Sequence, residues 1–177
     1  MYYYSEYESP VGVLTVASDG AAVCGLWLEG QKYHGATVSE ALVRDDSAAG
    51  FSELRAWLDG YFAGNRPAIE DVPLAPRGSD FQQAVWRKLI DIPYGELATY
   101  GSIAQALKEE RGKASALAVG GAVGHNPLSI IIPCHRVVGA DGSLTGYAGG
   151  LARKMWLLEH EGVDTGGLYL PRRGTAL

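Results

Sequence analysis

The sequence predicts an α+β protein of two domains: a small N-terminal α/β domain with an antiparallel three-stranded sheet, and a mostly helical C-terminal domain with a winged-helix-like helix-turn-helix. Short β-branched and aromatic runs fill the first thirty residues, whereas helical periodicity dominates after residue 79. Between them, residues 65–78 carry three prolines and no clear period, which is typical of a linker. The predicted domains are therefore residues 1–75 and 79–177.

The predicted sheet comes from three runs, YYYSEY, GVLTVASD and AAVCGLWLEG, which are separated by the turn-forming pairs SP and DG. Short runs joined by tight turns indicate an antiparallel meander. One helix follows in this half, because apolar residues recur there at helical spacing. These residues are Phe51, Leu54, Trp57, Leu58 and Tyr61.

The second half opens with an amphipathic helix. Either Ser79 or Asp80 can cap its first turn, and Pro93 follows its end. The residues that share its apolar face are Phe81, Val85, Trp86 and Leu89.

Two short helices come next, and together they suggest a helix-turn-helix. Thr99 caps one, and Ser115 caps the other, which stops at Asn126-Pro127. The latter, ALAVGGAVG, has almost no bulky side chains and contains adjacent glycines, which disfavour helix. So thin a helix suits either close packing against other helices or contact with a large smooth partner such as a nucleic-acid backbone.

Composition narrows the class of protein. The 177 residues are 47% hydrophobic and 20% charged, as in ordinary globular proteins. No apolar run reaches the roughly 18 residues of a membrane span, and the first residues lack a signal-peptide pattern, so we expect a cytoplasmic protein. Two cysteines are too few for a disulfide framework, and with four scattered histidines they form no metal-binding pattern.

Charge is spread unevenly along the chain. The formal net charge is −5, with −7 in residues 1–75 and +2 in residues 76–177. The second half is therefore the better candidate for contact with a phosphate-bearing partner, although +2 does not amount to a basic patch.

A thiol and an imidazole adjoin in the stretch SIIIPCHRVVG, where Cys134 and His135 follow isoleucines that indicate a buried strand. Cysteine is nucleophilic as a thiolate, so its neighbours must lower its pKa, and histidine is the usual base near neutral pH. Adjacent residues of an extended strand point to opposite faces, so the pair requires either a turn after Pro133 or a bridging water. Cys134 as a small buried hydrophobic residue is the alternative.

Two further features lie downstream. The last predicted helix, LARKMWLLEHEG, ends with Glu159 and Glu161, although carboxylates there oppose the helix dipole at roughly 0.3–1 kcal/mol each. A carboxylate that orients His135 would account for this cost, and two solvated acids are the alternative. Before that helix, GSLTGYAGG permits close backbone approach to a flat ligand, with Tyr147 as a stacking face. A mobile surface loop is its alternative.

Five motifs in this order resemble the O6-alkylguanine-DNA alkyltransferases: PYGELATYGSIA, AVGGAVGHNP, PCHRV, GYAGG and KMWLLEHEG. The resemblance runs from Phe81 to Gly162, whereas the first 75 residues match in outline only. It implies direct reversal of DNA damage, in which an alkyl group moves from O6-alkylguanine, with O4-alkylthymine as a second candidate substrate, to Cys134 in one irreversible turnover. The helix-turn-helix would dock in the minor groove of double-stranded DNA and the alkylated base would leave the stack.

The resemblance also implies a role for each matching residue. Cys134 is the acceptor, His135 is the base acting through a water, and Glu161 orients His135. Asn126 braces the turn around the nucleophile, and Tyr100 helps swing the nucleotide out and gives a proton to the leaving guanine. The implied guanine slot comprises Val137, Tyr147 and Ala148, and the implied DNA-binding residues are Thr99, Tyr100, Ala116, Leu117, Gly120 and Gly124.

The remaining implications concern partners and Arg136. The resemblance implies no cofactor, no metal, no membrane and no obligate protein partner, so we expect a monomer. Arg136 is interpreted as a structural anchor at the boundary between the domains.

Two positions depart from well-known relatives. Leu117 stands where they carry an arginine that fills the gap left by the flipped base. Leucine can act as an apolar wedge between bases, but it cannot hydrogen-bond the orphaned cytosine. Ala148 stands where some relatives have serine, and its backbone N–H can still reach the guanine oxygen.

Three other functions are compatible with parts of the pattern. A lesion-recognition protein of the alkyltransferase-like class would bind alkylguanine without accepting the group, but such relatives lack the cysteine of PCHR. A Cys-His hydrolase would need an oxyanion hole and would turn over many times. A purely structural helix-turn-helix regulator would be insensitive to Cys134→Ala.

Overall fold

Residues 1–38 and 40–171, which the computed structural model of the chain describes, divide into two units. The first contains residues 1–77 together with Pro127–Ile131, and the second contains Gly78–Asn126 together with the chain from Ile132. Pro127–Ile131 therefore belongs to the first unit, although in sequence it lies among the helices of the second. The predicted domain limits, 1–75 and 79–177, stay a prediction.

The first unit is built on a four-stranded sheet. β1 (Tyr2–Ser9), β2 (Gly12–Ser18) and β3 (Val23–Leu28) form the antiparallel meander that the sequence predicts. β4 (Leu42–Arg44) pairs in parallel with β1, so the strand order is β3-β2-β1-β4. The prediction of three strands is wrong by one, because the three residues of β4 are too few to show an alternating pattern.

The outer edge of β3 is covered by two other segments of this unit. Val23 forms a parallel bridge with Leu74, from the stretch predicted as a linker, and Leu26 forms another with Leu128. Covering a sheet edge satisfies backbone groups that could otherwise pair with another chain. The bridge to Leu128 is also what ties Pro127–Ile131 to the first unit.

The helix of the first unit confirms its sequence pattern. α1 (Phe51–Phe62) buries all five apolar residues that were expected to share a face. Gly50 precedes it in the left-handed region, with φ 85°, where glycine is favoured.

The described part of the second unit is mostly helical, which confirms the predicted α+β class. Its two very short strands, β5 (Ala98–Thr99) and β6 (Val137–Val138), pair in parallel. Its α-helices are α2 (Asp80–Ile90), α3 (Tyr100–Arg111), α4 (Ala116–Gly124) and α5 (Leu151–His160).

The helices begin where the sequence predicts. Ser79, and not Asp80, caps α2 in a capping box, and Thr99 forms the same arrangement at α3. The hydroxyl of Ser115 accepts a hydrogen bond from the third residue of α4 at 3.1 Å. These caps satisfy N–H groups that the first helical turn leaves without a partner, and so they fix where α3 and α4 start.

Within residues 1–38 and 40–171, no helix combines the length and apolar character needed to cross a membrane. The same residues contain no group of three or more histidine, cysteine or acidic side chains that could hold a metal ion.

Candidate active site

Cys134, His135 and Arg136 form a single 3-10 turn directly after Pro133. The N–H of Arg136 donates to the carbonyl of Pro133 at 3.0 Å. The preceding isoleucines are buried, but they form turns, and Ile130 has a φ of 71°. The predicted buried strand is wrong, because periodicity cannot distinguish so short an apolar run from a buried turn. The turn also removes the alternation that would send adjacent side chains to opposite faces.

His135 and Glu161 come together as a buried pair. Nε2 of His135 lies 2.5 Å from Oε2 of Glu161, and both side chains are fully buried. Because an ionised carboxylate only accepts hydrogen bonds, Nε2 carries the proton and Nδ1 keeps a lone pair. Among the described residues, no group hydrogen-bonds Nδ1. Burial, together with the charges of Arg136 and Lys154, lowers the pKa of His135 below its ordinary value in spite of Glu161, so the imidazole is neutral at pH 7.

Arg136 provides the charge that balances Glu161. Its Nε and Nη2 donate to the two carboxylate oxygens at 2.7 and 3.2 Å, and its Nη1 donates to the carbonyl of Ile92 at 2.6 Å. The N–H of Gly95 donates to Glu161 at 3.1 Å. Burial favours a higher pKa for Glu161, but the hydrogen bond from His135, together with the hydrogen bonds and charge of Arg136, outweighs it and holds that pKa well below its usual range. These partners of Arg136 all lie in the second unit, and the interpretation of Arg136 as an anchor at the domain boundary stays a prediction.

Asn126 connects the end of α4 to the turn that carries Cys134. Its Nδ2 donates to the carbonyl of Ile132 at 2.8 Å, and its side chain also hydrogen-bonds to Cys134. Cys134 is only 5% exposed. Burial raises the pKa of its thiol, and the hydrogen bond from Asn126 and the charge of Lys154 offset this only in part. The sequence led us to expect a lowered pKa for Cys134, but in the structure this pKa is raised. The side chain is therefore a thiol, which must lose its proton before it can act as a nucleophile.

Lys154 is a buried cation that the sequence analysis did not single out. Its side chain is fully buried in α5, and its ammonium donates to the backbone carbonyls of Val137 and, at 3.1 Å, Thr145. Burial lowers the pKa of Lys154 to about 8, while the nearby Cys134 acts to raise it. A signal was present, because residues 154, 157, 158 and 161 follow helical spacing and place a lysine on the apolar face of the helix.

The loop between β6 and α5, residues 139–150, carries most of the predicted guanine slot. Val137, in β6, and Tyr147, in the loop, are buried, and Ala148 is partly exposed. Burial raises the pKa of Tyr147 well above its ordinary value, and its hydroxyl has no hydrogen-bond partner among the described residues.

Tyr100, at the start of α3, reaches this loop. Its hydroxyl donates to the carbonyl of Thr145 at 2.6 Å. A Cβ at Gly146, whose φ is 73°, would lie 2.6 Å from that hydroxyl, so only glycine fits there. Burial, and secondarily the proximity of Cys134, raises the pKa of Tyr100 to about 12. The phenol is therefore protonated and stands close to the thiol.

Four of the predicted DNA-binding residues lie in α4, and the other two, Thr99 and Tyr100, lie at the start of α3. Leu117 is 88% exposed, and Ala116 is also exposed, whereas Gly120 and Gly124 are half-buried. The hydroxyl of Thr99 is engaged in the cap of α3. Leu117 is thus the one large side chain that α4 presents to solvent, among positions that carry at most a methyl group.

A surface groove of about 840 Å³ lies beside the start of α4. Two of its lining residues, Arg111 and Lys113, come from the end of α3 and the turn before α4, and both are exposed. These two cations were missed in the sequence because they are isolated charges, and the fold places both beside the turn between α3 and α4. Its other lining residues are Phe81, Ala114, Ser115 and Ala118.

Two family profiles match the chain. The profile described as "6-O-methylguanine DNA methyltransferase, DNA binding domain" matches residues 80–163, and "6-O-methylguanine DNA methyltransferase, ribonuclease-like domain" matches residues 2–76. The chain belongs to the 6-O-methylguanine DNA methyltransferase family. The resemblance seen in the five motifs is thereby confirmed.

Relatives at high identity cover nearly the whole chain. It is 46% identical over 161 residues to the methylated-DNA–protein-cysteine methyltransferase of Mycobacterium tuberculosis, which covers 91% of this chain and 93% of that protein. It is 42% identical over 161 residues to the enzyme of the same name from Haemophilus influenzae, with 91% and 87% covered. Among solved structures, that of M. tuberculosis OGT in complex with DNA matches with a TM-score of 0.78 and 43% identity, covering 93% of this chain and 98% of that one.

Proposed function

We propose that this chain is a methylated-DNA–protein-cysteine methyltransferase, which repairs O6-alkylguanine in DNA by moving the alkyl group irreversibly to Cys134. One observation carries the assignment of the acceptor. The buried thiol of Cys134 is next in the chain to the neutral imidazole of His135, whose Nε2 is fixed by the buried carboxylate of Glu161. Membership of the family supplies the substrate class.

The proposed reaction is a direct displacement at the alkyl carbon. Nδ1 of His135 takes the proton of Cys134 through a water, the sulfur forms a bond to the alkyl carbon, and the carbon–O6 bond breaks. Tyr100 gives its proton to the leaving guanine, for which it must first release the carbonyl of Thr145. The thioether does not hydrolyse, so each chain acts once. Because the protein's own sulfur displaces the guanine oxygen directly, this scheme calls for no cofactor.

Glu161 and Asn126 are proposed as positioning residues. Glu161 fixes the tautomer and orientation of His135, and Asn126 bonds both Cys134 and the carbonyl of Ile132. Val137, Tyr147 and the N–H of Ala148 are proposed to hold the guanine.

Cys134 is buried, and an alkyl carbon inside a duplex cannot be reached for in-line attack. The alkylated base must therefore leave the stack and enter the protein to reach the thiol. We assign the approach to α4, whose thin exposed face enters the minor groove, with Leu117 as the wedge that replaces the extruded base. Arg111 and Lys113 are proposed to contact backbone phosphates beside it, which makes binding dependent on salt.

The remaining assignments are coarser. We propose that residues 79–177 bind DNA and accept the alkyl group and that residues 1–75 support them. We also propose that the protein is a monomer. We place it in the cytoplasm, since its proposed substrate is genomic DNA.

The test is the intact mass of the protein after incubation with a duplex that contains O6-methylguanine, followed by peptide mapping. We expect one added methyl group per chain, located on Cys134 and absent from Cys134→Ala. Cys24→Ala is the matched control, because Cys24 is the other free, buried cysteine and burial raises its pKa to about 11. Tight lesion binding with no mass gain would indicate a lesion-recognition protein, and repeated product release without mass gain would indicate a hydrolase.

A further inference from the structure

The chain after α5 returns to the loop 139–150 and pairs with it. The N–H of Leu144 donates to the carbonyl of Tyr169 at 2.9 Å, and the N–H of Tyr169 donates to the carbonyl of Gly142 at 3.2 Å. We call residues 163–169 the strap. Its backbone holds the first half of the loop as a neighbouring strand would.

Side chains reinforce this pairing. The hydroxyl of Tyr169 donates to Asp141 Oδ2 at 2.5 Å, and the N–H of Ser143 donates to Oδ1 at 3.1 Å. The hydrogen bond from Tyr169, which has the larger effect, and that from Ser143 lower the pKa of Asp141 to about 2. A Cβ at Gly142 would lie 2.4 Å from the carbonyl oxygen of Gly167, so the strap sits directly against the loop backbone.

The second half of the loop is held in another way. The carbonyl of Thr145 accepts hydrogen bonds from both Tyr100 and Lys154. Five of the twelve residues from 139 to 150 are glycines, which lose the most conformational entropy when they are ordered. Such a loop keeps one conformation only while both halves are fixed from outside.

We propose that the strap, through Tyr169 and Asp141, limits how far this loop opens and thereby sets the size of the alkyl group that can reach Cys134. The inference rests on the proposed function, because it takes Tyr147 and Ala148 as walls of the guanine slot. Tyr169 and Asp141 touch no reacting atom and act as positioning residues.

Release of the strap has opposite effects on small and large alkyl groups. A looser loop places a methyl group less accurately, which slows its transfer, but admits a benzyl group more easily. Loss of one hydrogen bond to a carboxylate shifts the equilibrium between closed and open loop by roughly threefold to tenfold. The ratio of benzyl to methyl transfer should therefore rise by up to about that factor in Tyr169→Phe.

Two alterations test the strap: Tyr169→Phe, and a chain that ends after Asp164. Tyr7→Phe is the matched control, because Tyr7 also donates to a carboxylate, Asp59, at 2.6 Å in the first unit. A chain that ends after Pro171 is the control for shortening.

Single-turnover rates are measured with duplexes of one sequence that carry either O6-methylguanine or O6-benzylguanine. Hydrogen exchange of the Leu144 amide, which bonds to the strap, reports the opening of the loop. We expect faster Leu144 exchange and a raised benzyl-to-methyl ratio in both altered proteins, and neither effect in the controls. Thermal melting verifies folding, and if the shortened chain does not fold, Tyr169→Phe alone decides.

An unchanged ratio in folded Tyr169→Phe overturns the proposal, whatever the exchange of Leu144 shows, and so does an equal rise in Tyr7→Phe. The unaltered protein separates failure of this inference from failure of the proposed function. If the proposed function is wrong, the unaltered protein transfers neither the methyl nor the benzyl group to Cys134.

Discussion

Glu161→Gln should disturb the buried network of His135, Arg136 and Glu161 more than any other single substitution that keeps the shape of the side chain. The carboxylate accepts hydrogen bonds from three described residues: one from His135, two from Arg136 and one from the backbone of Gly95. A glutamine amide has nearly the same shape, but it offers one oxygen and turns an NH2 group toward two of these donors. It also leaves the guanidinium of Arg136 buried without its counter-charge.

The magnitude follows from burial. Both side chains of the Arg136–Glu161 pair are at least nine-tenths buried, and removal of one partner of such a pair costs about 3–5 kcal/mol. In a protein of this size that corresponds to a fall in Tm of about 6–20 °C. Alkyl transfer should slow by about 100-fold or more, because the tautomer of His135 is no longer fixed.

Urea unfolding and single-turnover transfer to Cys134 measure the two effects separately. Glu159→Gln is the matched control, because Glu159 lies two residues earlier in the chain and is exposed. The folded-state pKa of Glu161 is below its unfolded value, so its stabilisation is complete above the unfolded pKa of about 4.3 and is lost as pH falls further. The stability difference between parent and Glu161→Gln should therefore shrink below about pH 4. Equal unfolding free energies and equal rates at pH 7 would refute the reasoning.

Two further substitutions test the remaining parts of the site. Leu117→Arg should tighten duplex binding and raise the repair rate, because arginine adds a charge and hydrogen bonds at the extrusion gap; unchanged affinity in a salt titration would contradict the wedge. Lys154→Met should raise the pKa of the Cys134 thiol and slow its reaction with iodoacetamide roughly tenfold at pH 7, because the ammonium lowers that pKa. Lys108→Met, on the exposed side of α3, should change neither the pKa of the Cys134 thiol nor its rate with iodoacetamide. If Lys154→Met reacts with iodoacetamide as fast as the parent protein, Lys154 does not influence the pKa of the thiol.

The elements that the sequence predicted well are those with long periodic patterns and explicit caps. The five-residue apolar face of α1 and the caps at Ser79, Thr99 and Ser115 are set by local spacing and local hydrogen bonds, which the sequence displays directly. β4 was missed because its place depends on a distant strand, and the turn at Ile130 was mistaken for a strand because burial alone does not specify backbone conformation.

The site was predicted in part. Glu161 could be singled out because a carboxylate at a helix end breaks a local rule, and the structure brings it to His135. The partners of Arg136 and Lys154 could not be predicted, because they are a distant carboxylate and backbone carbonyls that only the tertiary fold assembles. The pKa of Cys134 was misjudged for the same reason, since it depends on burial more than on the adjacent imidazole.

The charges of these buried groups explain why the thiol can react although its pKa is raised. Glu161 is ionised, Arg136 and Lys154 are cations, and His135 is neutral, so the network around the Cys134 thiol holds one excess positive charge. Among the described residues, no carboxylate pairs with Lys154, whose ammonium is held by backbone carbonyls. Ionisation of Cys134 places a negative charge near the Lys154 ammonium, which opposes the cost of burying a thiolate, while the proton that moves to His135 keeps the net charge of the network at one. The same balance predicts that the thiolate loses this support as pH rises past about 8, where Lys154 itself loses its proton.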